Sequence, residues 1–174
     1  MEILLEALPR ILETCPNAQV QFAGPYQNII GEEAYFRSLA PRIESYQAQG
    51  SWRFVGSLSP EQMAAYYPNL DVLVLPSLNS TEAFGLVQIE AMINGVPSVA
   101  SNLPGVRQPV KIHGMGRIVP VGDPAGLAEA VLEVLAHPQN YRSDPGEIAR
   151  RYEPQAIAAE YESLFAEIQQ ELHG

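Results

Sequence analysis

The feature that most constrains the fold of this chain is the alternation of short apolar runs with longer stretches of helical periodicity. Apolar runs near residues 72–75 and 96–100 have the length of strands and are bounded by Pro or Gly. Runs of this kind are typical of strands that are covered on both faces. The sequence therefore predicts an α/β fold, a doubly wound parallel sheet of the Rossmann-like type, with a helical C-terminal tail from Pro154 to about Leu172.

Further strands are predicted at Val20–Ala23, Trp52–Val55 and Gly116–Val119, and the apolar run near residue 72 predicts a strand over Asp71–Leu75. Helical spacing favours helices over residues 2–13, from about residue 32 to residue 49, and from residue 123 to about residue 136. Proline is expected to kink or divide the second of these at Pro41. Ser59 followed by Pro60 predicts a helix start.

Length and charge limit the classes of function. A chain of 174 residues with 47% hydrophobic and 17% charged residues is predicted to form a single domain over residues 1–174. The net charge of −10, from 20 acidic and 10 basic residues, argues against a nucleic-acid or anionic-membrane surface. Any anionic ligand must therefore be held locally, by main-chain groups and a few side chains.

The cysteine and histidine content predicts neither a disulfide nor a metal site. Cys15 is the single cysteine, which makes a reducing compartment the default expectation. His113, His137 and His173 have no Cys, Asp or second His at ligand spacing, and no Asp-x-Asp motif is present. Because no apolar run reaches membrane-span length and no signal-peptide pattern opens the chain, a soluble, cytoplasmic protein is expected. No cofactor is expected.

The strongest functional signal is a pair of acids, Glu82 and Glu90, around a Phe-Gly turn that joins a predicted strand to a predicted helix. Open α/β sheets bind ligands at such junctions. The first main-chain N–H groups of the helix lack acceptors and lie at the positive end of its dipole, so they favour a phosphate or diphosphate. Gly85 removes a side chain where a ligand needs close approach to the main chain.

The two acids suit opposite ends of a nucleotide sugar. Glu90, one turn into the helix, is placed to accept hydrogen bonds from vicinal hydroxyls such as those of a ribose, and Glu82 faces the other end of the ligand. A simpler interpretation stays open for each residue at this point. The two acids could be solvated surface groups, Phe84 could fill the core, and Gly24, Gly56 and Gly105 could be turn glycines. The pair Tyr66-Tyr67 is expected to pack its helix rather than to stack on a base.

Several short motifs occur in a fixed order and spacing around these acids. They are Pro76-Ser77, Glu82-Ala83-Phe84-Gly85-Leu86-Val87, Glu90-Ala91-Met92, Gly95-Val96-Pro97, Val99-Ala100-Ser101 and Gly116-Arg117-Ile118-Val119. In these motifs the chain resembles the C-terminal, nucleotide-sugar donor-binding domain of family 4 glycosyltransferases, retaining enzymes of GT-B architecture, and the resemblance covers most of the chain.

The resemblance implies a UDP-, GDP- or ADP-sugar donor, a sugar or lipid-linked acceptor, and hexosyl transfer with retention and without a metal. It also implies a role for each residue of the site. Those roles are catalysis and sugar contact for Glu82, main-chain contact with sugar or diphosphate for Phe84, Gly85 and Leu86, ribose binding for Glu90, proximity to the base for Val55, Gly56 and Ser57, and a place at the interdomain cleft for Gly24.

The chain departs from the family in three places. The family's N-terminal acceptor domain has no counterpart here, so transfer by these residues alone is not expected, and peripheral membrane association is expected at most for a full enzyme. The first strand of the donor domain, with the Arg and Lys that follow it, is also missing, which makes the domain incomplete at its N-terminus. Gln108 stands where many members carry an acid.

The missing strand is central in the usual order, so the strands at Val20 and Val72 are expected to have unpaired inner edges. Three explanations remain open: another polypeptide or a swapped segment supplies the strand, the sheet closes differently, or Met1 is not the biological start. Two alternative functions also remain. One is a non-catalytic interaction module completed by a partner chain, and the other is a GT-B-type nucleotide-sugar 2-epimerase, for which the histidines are not well placed.

Overall fold

The computed structural model describes residues 1–27, 29–79 and 81–173. The described strands are β1 (Val20–Ala23), β2 (Trp52–Gly56), β3 (Leu73–Leu75), β4 (Ser98–Ser101) and β5 (Gly116–Val119). The described α-helices are α1 (Glu2–Thr14), α2 (Glu33–Ala48), α3 (Pro60–Tyr66), α4 (Leu86–Ile93), α5 (Gln108–His113), α6 (Pro124–Ala136), α7 (Pro145–Arg151) and α8 (Pro154–His173). Two short 3₁₀ helices cover Tyr67–Asn69 and Pro138–Tyr141.

The strands form two parallel groups. β1 pairs with β2, and β3, β4 and β5 pair in that order, every pair being parallel. Helices connect the strands throughout, as parallel pairing requires. The predicted parallel α/β fold with a helical tail is confirmed. Within the described residues no hydrogen-bonded pairing joins β1 to β3, which agrees with the prediction that both have an unpaired inner edge.

β4 is the best-covered strand, and its four residues are all buried. Val99 lies in a core cluster with residues of α1 and α6, whereas Ala100 lies in a second cluster with residues of α4 and α5. Since successive side chains of a strand point to opposite faces, helices cover both faces of this sheet. This burial explains why the run that contains β4 is apolar without polar alternation.

Two local predictions about proline have different outcomes. Ser59 caps α3 in a capping box with Gln62, and Pro60 occupies the first turn, as predicted. Pro41 was predicted to kink or divide its helix, and division is wrong, because α2 is continuous from Glu33 to Ala48. Leu39 and Ile43 bury the same face of α2 against α1 and β2, and this packing holds the helix together across the hydrogen bond that proline cannot make.

A cavity of about 910 Å³, which we call the slot, separates β1 from β3. Strand residues such as Phe22 and Val74 line its sides, and Leu8, Ile11 and Val131 line it from the helices α1 and α6. The strand predicted over Asp71–Leu75 is shorter than expected and begins at Leu73. Its shortening leaves Val72, at the wall of the slot, without a strand partner among the described residues.

No helix within residues 1–27, 29–79 and 81–173 combines the length and the apolar character needed to cross a membrane.

Gln88 is a fully buried polar residue that joins three segments. Its Nε2 donates to the main-chain oxygen of Val106 at 2.8 Å, and its Oε1 accepts from Oγ of Ser98 at 3.0 Å. Both partners are buried, so neither finds water if the amide is lost. Gln88 therefore attaches α4 to β4 and to the loop that precedes α5.

Replacing Gln88 with Met keeps a similar volume but leaves Ser98 and Val106 without their partner. We expect the free energy of unfolding to fall by roughly 2–6 kcal/mol, since each of the two unsatisfied buried groups costs about 1–3 kcal/mol. Chemical denaturation of the variant measures this loss. The double variant Gln88→Met/Ser98→Ala removes both ends of one hydrogen bond and should lose less than the sum of the single variants; strictly additive losses would contradict the assigned bond.

Candidate functional site

The junction between β3 and α4 requires glycine at position 85. Gly85 is the N-cap of α4 and has φ +79° and ψ 58°, a left-handed conformation that is strained for other residues. A Cβ atom here would lie 2.6 Å from both Nε2 of Gln88 and Cδ2 of Leu75. The sequence predicts close approach of a ligand to Gly85, whereas the groups that approach it in this structure are side chains of the chain itself.

Glu82 folds back onto the start of α4. Its Oε1 accepts hydrogen bonds from the main-chain N–H of Gly85 at 2.8 Å and of Phe84 at 3.4 Å. These are two of the amides that the sequence predicted for an anionic ligand. The structure therefore brings Glu82, Phe84 and Gly85 together, with the carboxylate on the amides rather than facing away from them.

Phe84 and Leu86 differ in their surroundings. The Phe84 ring packs against the cluster around α4, α5 and α7, with its centroid 6.4 Å from that of Tyr152. Leu86, the first residue of α4, has 62% of its surface exposed. The side chain of Phe84 therefore has a packing role, and its main-chain N–H contacts Glu82. The exposed side chain of Leu86 lies at the start of α4, at the protein surface.

Glu90 has a protein partner that the sequence did not reveal. Its Oε2 accepts a hydrogen bond from the hydroxyl of Tyr67 at 2.6 Å, and Tyr67 is only 3% exposed. Burial, reinforced by the bond to Glu90, raises the pKa of the Tyr67 phenol, so it remains a donor at neutral pH. Tyr67 lies in the 3₁₀ helix that precedes β3, and it fixes the carboxylate of Glu90 while leaving the second oxygen without a hydrogen-bond partner among the described residues.

Gly105 presses the loop after β4 against the loop that carries Glu82. A Cβ atom at Gly105 would lie 1.6 Å from the main-chain oxygen of Ala83. No side chain fits there, so Gly105 is more than a turn residue: it permits the contact between its loop and the main chain of Ala83. Sequence reasoning left this glycine undecided because a contact between two distant loops has no local signature.

A second group of predicted residues lies at the carboxyl ends of β1 and β2. The main-chain N–H of Gly24 donates to the main-chain oxygen of Gly56 at 2.9 Å, and Val55 and Ser57 flank Gly56. Gly24 and Gly56 both have positive φ. The structure thus brings the predicted cleft and base-proximal residues together. These residues follow β1 and β2, whereas Glu82 and Glu90 follow β3, the strand on the other side of the slot.

Arg107, Gln108 and His113 each form a hydrogen bond within the protein. Arg107 donates to Oδ1 of Asn102 at 2.9 Å, and Gln108 donates to the main-chain oxygen of Pro104 at 2.7 Å. His113 forms a hydrogen bond with the Tyr152 hydroxyl at 3.0 Å, and burial lowers its pKa. Within the described part of the chain no three His, Cys, Asp or Glu side chains cluster as metal ligands would.

The family of the chain follows from a comparison with family models. The model described as "Glycosyl transferases group 1" matches residues 1–152. The chain belongs to this family. Its site, with Glu82 and Glu90 on either side of the start of α4, lies within the matched residues.

One relative and two solved structures show which part of a glycosyltransferase the chain represents. Phosphatidyl-myo-inositol mannosyltransferase of Mycobacterium leprae (strain TN) is 32% identical over 163 residues, which are 92% of this chain and 41% of the relative. The structure of Anabaena Alr3699/HepE in complex with UDP and glucose superimposes with a TM-score of 0.76 at 20% identity, covering 95% of this chain and 44% of that one.

The C-terminal domain of the glycosyl transferase group 1 family protein LpcC from Francisella tularensis superimposes with a TM-score of 0.67 at 16% identity. It covers 86% of this chain and 77% of that domain. The chain spans about two-fifths of the mannosyltransferase and of HepE. It therefore corresponds to the C-terminal portion of a glycosyltransferase of GT-B fold.

Proposed function

We propose that residues 1–174 are the donor-binding part of a retaining, metal-independent glycosyltransferase that transfers a hexosyl group from a nucleotide-diphosphate sugar to a sugar or lipid-linked acceptor. The observation that carries the proposal is the convergence of two main-chain N–H groups, those of Phe84 and Gly85, on one carboxylate oxygen at the start of α4. Donors that converge on one carboxylate oxygen can converge equally on one oxygen of a diphosphate.

The charge of the chain makes this convergence informative. The net charge is −10, so a diphosphate has little general attraction to the protein and must be held by local donors. The start of α4 supplies the positive end of a helix dipole in addition to the two amides. The exposed Leu86 leaves this end of the helix open to a ligand.

Glu90 is proposed to bind the ribose of the donor. Its Oε2 is engaged by Tyr67, which orients the carboxylate, and its Oε1 is available to accept from a ribose hydroxyl. One turn of helix separates Glu90 from Leu86, a distance that suits the separation of a ribose from the diphosphate. Val55, Gly56 and Ser57 are proposed to lie near the base, and Gly24 at the cleft where the acceptor side meets the donor side.

Glu82 is proposed to change partners when a donor binds. A diphosphate and a carboxylate are both anions, so they do not share the amides of Phe84 and Gly85. The diphosphate takes the amides, and the carboxylate turns toward the hydroxyls of the transferred sugar. Glu82 is the proposed catalytic residue on this basis, because it touches the group that is transferred.

The acceptor side of the proposed enzyme lies outside these residues. The mannosyltransferase from M. leprae is more than twice as long as the matched region, and the chain alone is proposed to bind donors without catalysing transfer. HepE was crystallised with UDP and with UDP-glucose, which supports a nucleoside diphosphate as the ligand class. The base, the sugar and the acceptor are left open by the proposal.

Titration of the chain with UDP, GDP and ADP, followed by NMR or calorimetry, tests donor binding and identifies the base. We expect one nucleotide to bind weakly and to shift the main-chain amides of Phe84, Gly85 and Leu86. The variant Glu90→Ala should weaken this binding roughly 10- to 100-fold, since a hydrogen bond to a charged group contributes about 1.5–3 kcal/mol.

The matched control is Glu162→Ala, which removes an exposed helical glutamate of α8 and should leave the affinity unchanged. A folded chain that responds to none of the three nucleotides would contradict an independent donor site. Equal affinities of the Glu90→Ala variant and the wild type would remove the ribose role alone.

The exchange of partners at Glu82 predicts opposite effects on two ligands. In Glu82→Ala the amides of Phe84 and Gly85 are vacant, so the preferred nucleoside diphosphate should bind several-fold more tightly than to the wild type. The corresponding nucleotide sugar should lose the extra affinity that its hexose provides. Calorimetry with both ligands measures the difference, and a variant that weakens both equally would show that Glu82 only caps the helix.

Tyr67 is expected to act as a positioning residue for Glu90. In Tyr67→Phe the preference for the ribonucleotide over its 2′-deoxy analogue should fall about two- to tenfold, which corresponds to one hydrogen bond of roughly 0.5–1.5 kcal/mol. The matched control is Tyr66→Phe, because the buried Tyr66 hydroxyl has no hydrogen-bond partner in the described structure. A purely structural role for Tyr67 would lower the melting temperature without changing this preference.

A second candidate function, a non-catalytic interaction module, is favoured by one observation. Among the described residues, one edge of β1 and one edge of β3 have no strand partner. In this candidate the site at the β3–α4 junction has only a structural role, and co-purification with a chain that carries the missing strand would favour it over donor binding.

A further inference from the structure

Arg107 places a positive charge at the carboxyl edge of the sheet, where the candidate site lies. Its guanidinium donates to Oδ1 of Asn102 at 2.9 Å. Asn102 directly follows β4, and its main-chain N–H donates to the oxygen of Val119, the last residue of β5. A Cβ atom at Gly122 would lie 3.9 Å from Cδ2 of Leu78, so the loops after β5 and β3 approach each other across the end of β4. The guanidinium is therefore held where these strand ends meet.

The contact between Gly105 and Ala83 brings Arg107 to the Glu82 end of the start of α4. Consecutive Cα atoms are about 3.8 Å apart, so the Cα atom of Arg107 lies within about 8 Å of that of Gly105. Ala83 adjoins Glu82, whereas Glu90 lies one turn into α4. Under the proposed function, Glu82 contacts the transferred sugar and Glu90 contacts the ribose. Arg107 therefore belongs to the sugar side of the site.

The charge of Arg107 is not balanced by a carboxylate. Within the described residues Arg107 has no ion-pair partner, whereas Arg10 and Arg117 each pair with a glutamate. Its neighbour Gln108 is neutral and donates to the main-chain oxygen of Pro104. The Arg107 side chain is half-buried, so it has lost part of its hydration. An oxyanion that binds here would supply the opposite charge that the described residues do not.

The guanidinium of Arg107 has the geometry that an oxyanion requires. It carries five N–H donors in a planar fork, and the bond to Asn102 uses one of them. Such a fork matches two oxygens of a carboxylate or of a phosphate. The bond to Asn102 also restricts the side chain before a ligand binds, which lowers the entropy cost of binding.

We propose that Arg107 binds an oxyanion carried by a sugar substrate, either the carboxylate of a hexuronosyl donor or the phosphate of a phosphorylated sugar acceptor. The proposal rests on the proposed function for the position of the sugar. A hydroxyl of an uncharged hexose gives the guanidinium one neutral partner, whereas an oxyanion accepts two hydrogen bonds and balances the charge. Arg107 thus selects a charged sugar over an uncharged one.

The deciding test needs no nucleotide. The guanidinium NMR signal of Arg107 is followed while the purified chain is titrated with glucuronate, with glucose 6-phosphate or with glucose. We expect a saturable shift with at least one of the two anions and no shift with glucose. The guanidinium signal of Arg10 serves as an internal control and should not move, because Glu129 already occupies it.

Two variants separate the fork of Arg107 from its charge. Arg107→Gln should weaken binding of the anion roughly 10- to 100-fold, since a hydrogen bond to a charged group contributes about 1.5–3 kcal/mol. The matched control is Lys111→Gln, which removes the same unit of charge one turn further along α5 and should leave the affinity nearly unchanged. Arg107→Lys keeps the charge without the fork and should bind less tightly than the wild type.

Calorimetry with UDP, UDP-glucose and UDP-glucuronate distinguishes the two sources of the oxyanion. If the donor carries it, UDP-glucuronate should bind more tightly than UDP-glucose, and Arg107→Gln should abolish this difference without changing the affinity for UDP. If the acceptor carries it, the two nucleotide sugars should bind equally, and glucose 6-phosphate should still shift the Arg107 signal when UDP is bound.

Three results would overturn the proposal. The first is an Arg107 signal that responds to neither anion while the chain is folded. The second is an equal loss of anion binding in Arg107→Gln and Lys111→Gln, which would show a general effect of charge. The third is a loss of UDP binding in Arg107→Gln as large as the loss of UDP-glucuronate binding, which would assign Arg107 to the diphosphate. A chain that binds the sugar anions but no nucleotide would contradict the donor-binding proposal and leave this one standing.

Discussion

The pairing of β4 with β3 and β5 is the interaction on which the candidate site depends. It places the carboxyl end of β3, and hence the Glu82 loop, next to the loop that follows β4. Gly105 then allows that second loop to touch the main-chain oxygen of Ala83. Gln88 ties α4 to the same strand through Ser98. The start of α4 is thereby fixed from two directions, which is the preorganisation that an anion site needs.

Glu82 supplies an acceptor for main-chain donors at the start of α4. Two converging amides at a helix start are costly to leave without an acceptor, and the carboxylate satisfies them. Under the proposed function, a donor diphosphate would have to displace this contact. Glu90 is arranged differently, because Tyr67 engages only one of its oxygens and leaves the other available. Glu82 therefore accepts from two main-chain donors, whereas Glu90 is oriented by Tyr67 and keeps one oxygen without a hydrogen-bond partner among the described residues.

The sequence was sufficient for features that have local causes. Apolar runs bounded by Pro or Gly identified β3 and β4, and Ser59-Pro60 identified the start of α3, because burial on both faces and helix capping leave local signatures. It was insufficient where contacts over long sequence distances decide. Pro41 does not divide α2 because the helix is held by packing against α1 and β2. The hydrogen bond between Tyr67 and Glu90, and the contact between Gly105 and Ala83, each join residues more than 20 positions apart. The rotamer of Glu82 depends on main-chain N–H groups that converge only once α4 has formed.

The slot and the candidate site are physically linked. Pro76 and Val87 line the slot, and they flank the segment that carries Glu82, Phe84 and Gly85. Ala23 lines it from the other side, next to Gly24 and its bond to Gly56. The slot therefore lies between the two groups of predicted ligand residues, so a change in its width would change the distance between them.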